Sequence, residues 1–304
     1  MWFRNLVVYR LPAGWSTDAD DFEKNLQQHP LKPCGGFDME SRGFTSPQDD
    51  GAFLCRHQRQ WLMSLGVEQK LLPRSIVRQQ AKDRAEKIAQ RQGHPVGRKQ
   101  LRDITDKVAS ELLPRALARR RTTWGWLDGA SGWLAVDAAA DAGAEQFLEA
   151  LRGAGEKIPS VRLEAQRSPA AAMADWLVKG DAPGAFGIDQ DLELRSPDAT
   201  KATVRYARHN LDGREIRDHL KAGKTVVRLG LTWNDRISFV LTEHLQFRRL
   251  AFLDVLRRES DEAVEDEGER FEADFALMTG ELSKLLADMV KALGGSKQRV
   301  KDEG

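Results

Sequence analysis

The chain has 304 residues, 41% apolar and 31% charged, which is material for about two globular domains and too apolar for a disordered segment. Its 47 Lys and Arg stand against 46 Asp and Glu for a net charge of +1, and no stretch approaches the ~20 apolar residues of a membrane span. Only Cys34 and Cys55 are present, and Arg4 interrupts the short apolar run at the start, so neither a disulfide-built secreted fold nor a signal peptide is expected and the protein is placed in the cytoplasm.

Trp2 to Leu11 (WFRNLVVYRL) predicts a strand centred on Val7, Val8 and Tyr9. Ser16 or Thr17 is placed to cap a helix that carries Phe22 and Leu26 and ends before Pro30. The stretch from Pro33 to Pro47, rich in Gly and Pro, reads as a loop. Ala52 to Cys55 and Gln60 to Leu65 read as paired strands that lead to Leu71, Leu72 and Pro73.

The 52 residues from Lys70 to Arg121 hold 15 Lys or Arg and 5 Asp or Glu, a local charge of +10, so the other 252 carry −9. Charge sorted in this way draws polyanions to one region. Pro73 suits a helix entry, and Val77, Ala81, Ala85 and Ile88 recur at helical spacing as far as Gln92. Arg74, Arg78 and Lys82 flank that apolar stripe on one side, and Arg84, Lys87 and Arg91 on the other. Gly93 to Gly97 break the helix. A second helix places Leu101, Ile104, Val108 and Leu112 on one face and Arg98, Lys99 and Arg102 in its first turns, ending at Pro114. Arg115, Arg119, Arg120 and Arg121 then surround Leu117 in a turn or short helix. The pair is expected to project as a basic finger that contacts nucleic acid; the plainer reading is a solvated helical pair.

Thr122 to Asp128 and Trp133 to Ala138 predict a hairpin across Gly129 to Gly132. Trp124, Trp126 and Trp133 could stack on unpaired bases, but strand alternation favours core. A helix near Ala140 to Arg152 completes an N-terminal α/β domain, residues 1–166, with the basic insert at 73–121. A second α/β domain, 167–304, opens on Ser168-Pro169 and a helix to about Lys179 that holds Trp176. Strands are expected at Asp191 to Arg195, Ala202 to Ala207, Thr225 to Trp233 and Ile237 to Thr242, with a helix at Arg214 to Lys221. Lys201 to Arg249 holds 11 basic and 5 acidic residues, a net +6, which adds Lys221, Lys224 and Arg228 to the phosphate-contact candidates. Glu259 to Asp274 balances this with nine carboxylates against Arg270 alone, and suits an outer surface. Phe271, Phe275, Met278, Leu282, Leu285 and Met289 form a heptad-like seam on a long last helix, packed on its own domain or on a partner's helix. The fold class is α+β: two units with mixed or antiparallel sheets, a projecting basic finger and a C-terminal helix.

Catalytic patterns are sparse. Gly223-Lys224-Thr225 imitates a phosphate loop, but Asp218 stands where its first glycine belongs and a strand follows where a helix should. His29, Cys34, Cys55 and His57 lack zinc-ligand spacing. Asp50 (or Asp49), Glu68 and Lys70 resemble the carboxylate and lysine set of a Mg²⁺-dependent nuclease, a short pattern that arises often by chance.

WFRNLVVYRL, PCGGFDMESRGF, KLLP at Lys70 to Pro73, ELLPRA at Glu111 to Ala116, WLDGASGWLAVDAA, LTWNDRISFVLTEHLQFRRLAFLDVLR and RFEADFALMTGELSKLL together resemble the RdgC family of bacterial recombination-associated DNA-binding proteins. Between Arg74 and Glu111 the likeness is one of charge and helical character. The resemblance implies a homodimer closed into a ring by two contacts, duplex DNA in a basic central hole, little sequence preference and a restraining role in RecA-driven recombination. The expected function is therefore a sequence-nonspecific duplex-DNA clamp associated with the nucleoid, not an enzyme and without cofactor. Its alternatives are a Mg²⁺ nuclease using Asp50, Glu68 and Lys70, and an RNA-binding or protein-bridging module.

Overall fold

The computed structural model describes residues 2–48, 50–253 and 267–297. Two antiparallel sheets dominate it. The first runs β2 (Glu40–Thr45), β4 (Gln60–Lys70), β5 (Ala118–Asp128), β6 (Trp133–Val136), β1 (Val7–Arg10) and β7 (Val161–Arg162), with β3 (Cys55–His57) also paired to β4. The second runs β12 (Phe247–Phe252), β11 (Ile237–Thr242), β10 (Thr225–Trp233), β8 (Phe186–Arg195) and β9 (Thr203–Tyr206).

Strand alternation gives the first sheet two buried faces. On one, α1 (Ala19–Gln27) and α4 (Asp141–Gly153) cover Val7, Met63, Leu65 and Leu127 with Phe22, Leu26, Phe147 and Leu151. Phe147 lies so close over Gly125 that any Cβ there would overlap its ring. The other face, with Val8, Leu62, Trp126 and Trp133, shares a larger core with the second sheet, α5 (Pro169–Lys179) and α7 (Glu267–Ala292). The buried tryptophans are therefore core, as alternation predicted.

The N-terminal segment joins the sheets. The strand expected over Trp2 to Leu11 divides: Leu6 exchanges backbone hydrogen bonds with Phe247 of the second sheet at 2.8 and 3.1 Å, and Val7–Arg10 enters the first. The last helix joins them again through side chains. Ser283 donates to Asp128 (2.8 Å), and Trp233 and Arg236 donate to Asp288 (2.9 Å) and Glu281 (3.0 Å). Its seam residues Phe275, Met278, Leu282, Leu285 and Met289 are all buried in this core, so the seam packs within the chain and is not free for a partner's helix.

Several elements differ from expectation. The cap of α1 is Asp18, which accepts from the Asp20 and Asp21 amides, not Ser16 or Thr17. The Pro33 to Pro47 stretch contains β2, and Cys55–His57, not Ala52 to Cys55, is the strand before β4. β12 was unforeseen. The helix at Arg214–Lys221 (α6), β10 and β11 lie where the sequence placed them. Half of the acidic segment, residues 259–266, lies outside the described residues; of its remainder, Glu269 and Glu272 are exposed, as an outer surface requires, whereas Asp274 is buried. Among the described residues no helix is long and apolar enough to cross a membrane.

Candidate nucleic-acid interface

β4 and β5 pair from Gln60↔Asp128 to Lys70↔Ala118, yet their connection is residues 71–117 instead of a tight turn. That connection folds into α2 (Arg74–Gln92) and α3 (Arg98–Leu112), closed by a 3-10 turn at Leu113–Arg115. Val77, Ala81 and Val108 are buried, with Leu72, Ile104, Ala109 and Leu112 against them, as a cluster separate from the two main cores. Ala85 and Ile88, further along the expected stripe, are only half-buried. The hairpin thus packs on itself and leaves most of its surface to solvent.

Its basic side chains take that surface. Arg74, Arg78, Lys82, Lys87, Arg91, Arg98, Lys99, Arg115, Arg119, Arg120 and Arg121 are exposed, and Arg84 is half-buried. Three have carboxylate neighbours: Arg84 with Glu111 at 2.5 Å, Lys82 with Glu86 at 3.9 Å and Arg120 with Glu68 at 3.2 Å. The Arg84 hydrogen bond holds the Glu111 carboxyl below its ordinary value. Among the described residues the others have no acidic partner. Neither α2 nor α3 has a side-chain cap or an acidic residue in its first turn, so Arg74, Arg98 and Lys99 add charge to helix ends that are already positive.

Arg119, Arg120 and Arg121 do not form a turn or short helix. They open β5, opposite Gln69, Glu68 and Val67. Alternation puts Arg119 and Arg121 on one face and turns Arg120 to the other, where Glu68 meets it. The Leu71 amide donates to the Leu117 carbonyl (2.7 Å), which brings the start of α2 beside the start of β5. Arg74, Arg115, Arg119 and Arg121 therefore gather at the base of the hairpin, and Arg91, Arg98 and Lys99 at its tip. The 19 residues of α2 separate the two groups, a length of about 28 Å at helical rise. About eight base pairs of duplex cover that distance.

The second basic region is less uniform. Lys221 is exposed at the end of α6, and the half-buried Lys224 Nζ lies 2.8 Å from His219 Nδ1. Arg228 stands on the sheet itself, 3.3 Å from Glu193. Arg205, Arg248 and Arg249 line the same pocket as Arg228 and escaped the sequence reading: Arg248 and Arg249 because β12 was not recognised, and Arg205 because the expected strand at Ala202 to Ala207 did not show which strands it would join.

The nuclease-like set does not converge. Lys70 is buried, its Nζ donating to the Gly35 and Gly36 carbonyls at 2.6 and 3.0 Å, and Glu68 accepts from the Cys34 amide at 2.9 Å. Both hold the Pro33–Asp38 loop against β4. Asp50 accepts from Ser46 Oγ and the Ala52 amide, both at 2.9 Å, and acts electrostatically on Cys55, whose thiol burial pushes up to about 11. Cys55 pairs with Leu62, six residues along β4 from Glu68, a separation of about 20 Å. Thr225 begins β10, which removes the phosphate-loop likeness. Among the described residues no three His, Cys, Asp or Glu are grouped to hold a metal ion.

A family profile described as "RdgC: Putative exonuclease, RdgC" matches residues 1–296. The chain is 49% identical over 298 residues to "Recombination-associated protein RdgC" of Dechloromonas aromatica (strain RCB), covering 97% of this chain and 98% of that protein. Proteins of the same name from Burkholderia orbicola (strain MC0-3) and Herminiimonas arsenicoxydans are 47% and 45% identical, with 98% of this chain covered in each case and 97% and 100% of theirs.

Proposed function

The chain belongs to the RdgC family, and from that premise we propose that it is a recombination-associated protein that binds duplex DNA without sequence preference. The observation that supports this most is the row of exposed basic side chains without acidic partners among the described residues, on a hairpin with its own small core. Separate guanidinium and ammonium groups on a projecting surface suit successive phosphates, and contacts to phosphate carry no sequence information.

The proposal extends to a homodimer that closes around the duplex, acts on RecA-dependent recombination and works at the nucleoid in the cytoplasm. Phe37 and Leu117 are each 80% exposed, and Met39 and Leu71 49%. Backbone hydrogen bonds from Lys70 to Met39 and from Leu71 to Leu117 place them on neighbouring chain segments at the hairpin base. Apolar surface gathered in this way suits a contact with a second copy.

Titrating labelled linear duplex, nicked circle, single strand and RNA at two salt concentrations tests the reading, with mass in solution measured in parallel. Duplex should win, its affinity should fall steeply with salt, and the circle should dissociate more slowly because a ring leaves linear DNA by its ends. Equal binding of RNA, or a flat salt response, refutes it. The family's description favours a second reading, an exonuclease. Because Asp50, Glu68 and Lys70 are apart, such activity would need another site; release of nucleotides from end-labelled duplex with Mg²⁺ decides between the readings.

A further inference from the structure

We propose that the face of the second sheet turned away from its core is a phosphate-binding pocket, built by Arg205, Arg228, Arg248 and Arg249. α5, α6 and α7 bury their apolar sides against the opposite face. The pocket is a cavity of about 200 Å³, in which these four guanidiniums meet Asp191 and Glu193. Positive charge is left in excess within a concave surface.

Sheet register produces the arrangement. Arg205, Glu193 and Arg228 are direct cross-strand partners on β9, β8 and β10, so their side chains share one face. Arg248 joins them through its pairing with Val240. Consecutive strand residues normally point to opposite faces, yet Arg249 lines the pocket beside Arg248. The pairing of β11 with β12 is irregular here, and Arg249 adopts a left-handed φ of 52°. A bulge of this kind re-aims a side chain and is strained for a residue other than glycine. Two arginines are thereby delivered to one pocket.

Arg248 is also held in place before any ligand arrives. Its Nε and Nη2 donate to Gln246 Oε1 at 3.1 and 2.6 Å. Gln246 is 4% exposed; its amide nitrogen donates to Asp141 (2.8 Å), and its backbone amide to Thr242 Oγ1 (3.1 Å). Burial, and then the neighbouring Arg228, make it harder for Arg248 to carry its charge. Arg228 pairs with Glu193 and Arg249 with Asp191, whereas Arg205 has no acidic partner among the described residues. An oxyanion between Arg205, Arg228 and Arg248 would accept hydrogen bonds from all three and offset their repulsion. Phosphate is the chemistry that fits, either a diester of the DNA backbone or a terminal monoester. The backbone source rests on the duplex-binding reading above; the pocket does not.

The test uses the full chain, with Arg205→Gln, Arg248→Gln and the double variant, each checked for an unchanged melting transition. Arg205→Gln alters an exposed side chain and keeps the test available if Arg248→Gln unfolds. Inorganic phosphate is titrated while arginine side-chain NMR signals are followed, and nicked circles and short duplexes with 5′-phosphate or 5′-hydroxyl ends are bound at several salt concentrations. Phosphate should shift the signals of Arg205 and Arg248. A backbone site predicts weaker binding of circles by the double variant, with a salt slope shallower by about one unit per lost contact. A terminal-phosphate site predicts unchanged circle binding and loss of any preference for 5′-phosphorylated ends. Unmoved arginine signals, together with variant binding equal to wild type for every DNA, overturn the pocket and leave the hairpin reading standing. If the wild-type protein ignores duplex DNA but phosphate moves these signals, the duplex reading fails and the pocket survives.

Discussion

Arg119→Ala with Arg121→Ala is the sharpest perturbation of the hairpin base. Both side chains are exposed on one face of β5 opposite Gln69 and Val67, and neither has an acidic partner among the described residues. If each contacts one phosphate, the pair should make the slope of log K against log salt shallower by about 1.8. The corresponding loss of affinity is about 60-fold near 0.1 M salt and about 20-fold near 0.2 M, from counterion release alone. Stability should move by no more than about 0.5 kcal/mol, because no core residue is touched. Arg120→Ala is the internal control. Its guanidinium is turned to the other face and engaged with Glu68, so its effect on DNA should be smaller. Fluorescence anisotropy over a salt series, on protein with an unchanged melting transition and mass, measures all three. A folded double variant that keeps the wild-type slope would place the phosphate contacts elsewhere. A fall in melting temperature or a change of mass ahead of any DNA defect would assign these two arginines to stability or assembly instead of phosphate contact.

Three further outcomes follow from the core and the cysteines. Leu282→Ala, in the buried seam, should destabilise the chain by about 2–5 kcal/mol in denaturant titration, whereas a seam reserved for a partner would chiefly change the mass in solution. Gly125→Ala should cost about 1–3 kcal/mol because its methyl group meets the buried Phe147 ring; an unchanged melting transition would contradict that contact. Thiol titration of the native protein at pH 8 should show Cys34 reacting well before Cys55, whose pKa of about 11 leaves almost no thiolate, with Cys55 accelerating as pH rises and both reacting alike once unfolded.

The elements that were legible in the sequence are those whose periodicity one environment dictates. In α6 and the first hairpin helix the buried residues share one face, as their spacing says; β10 and β11 are buried nearly throughout and are legible instead as short apolar, β-branched runs. Arg119 to Arg121 were misread because three consecutive arginines carry no alternation; eleven residues of pairing with β4 extend the strand through them. β2 was hidden because its centre is Gly43, where the backbone of Pro30 and Leu31 crosses too closely for any side chain. β12 was hidden by its bulge, which breaks the period of two at Arg248 and Arg249. Lys70 counted as basic in sequence, but its charge is spent on backbone carbonyls inside the protein. Charge alone locates a basic region; which cations are free for a ligand depends on pairing and burial that only the fold fixes.

Placing the basic hairpin in a β4–β5 connection separates the needs of folding from those of binding. Like charges close together disfavour a compact state, and three fully buried residues give the hairpin little apolar burial to oppose that repulsion. Had the same residues lined one of the main cores, their repulsion would weaken the whole domain. Here the cost falls on a unit anchored at Leu71 and Leu117 by the long β4–β5 ladder, which holds its base fixed while the helices respond locally. Uncapped helix starts that carry Arg74, Arg98 and Lys99 add to the repulsion, and on the reading proposed above phosphates would reduce it where no acidic partner stands among the described residues. The features that make this hairpin a weak structure alone are therefore those that a bound polyanion would offset.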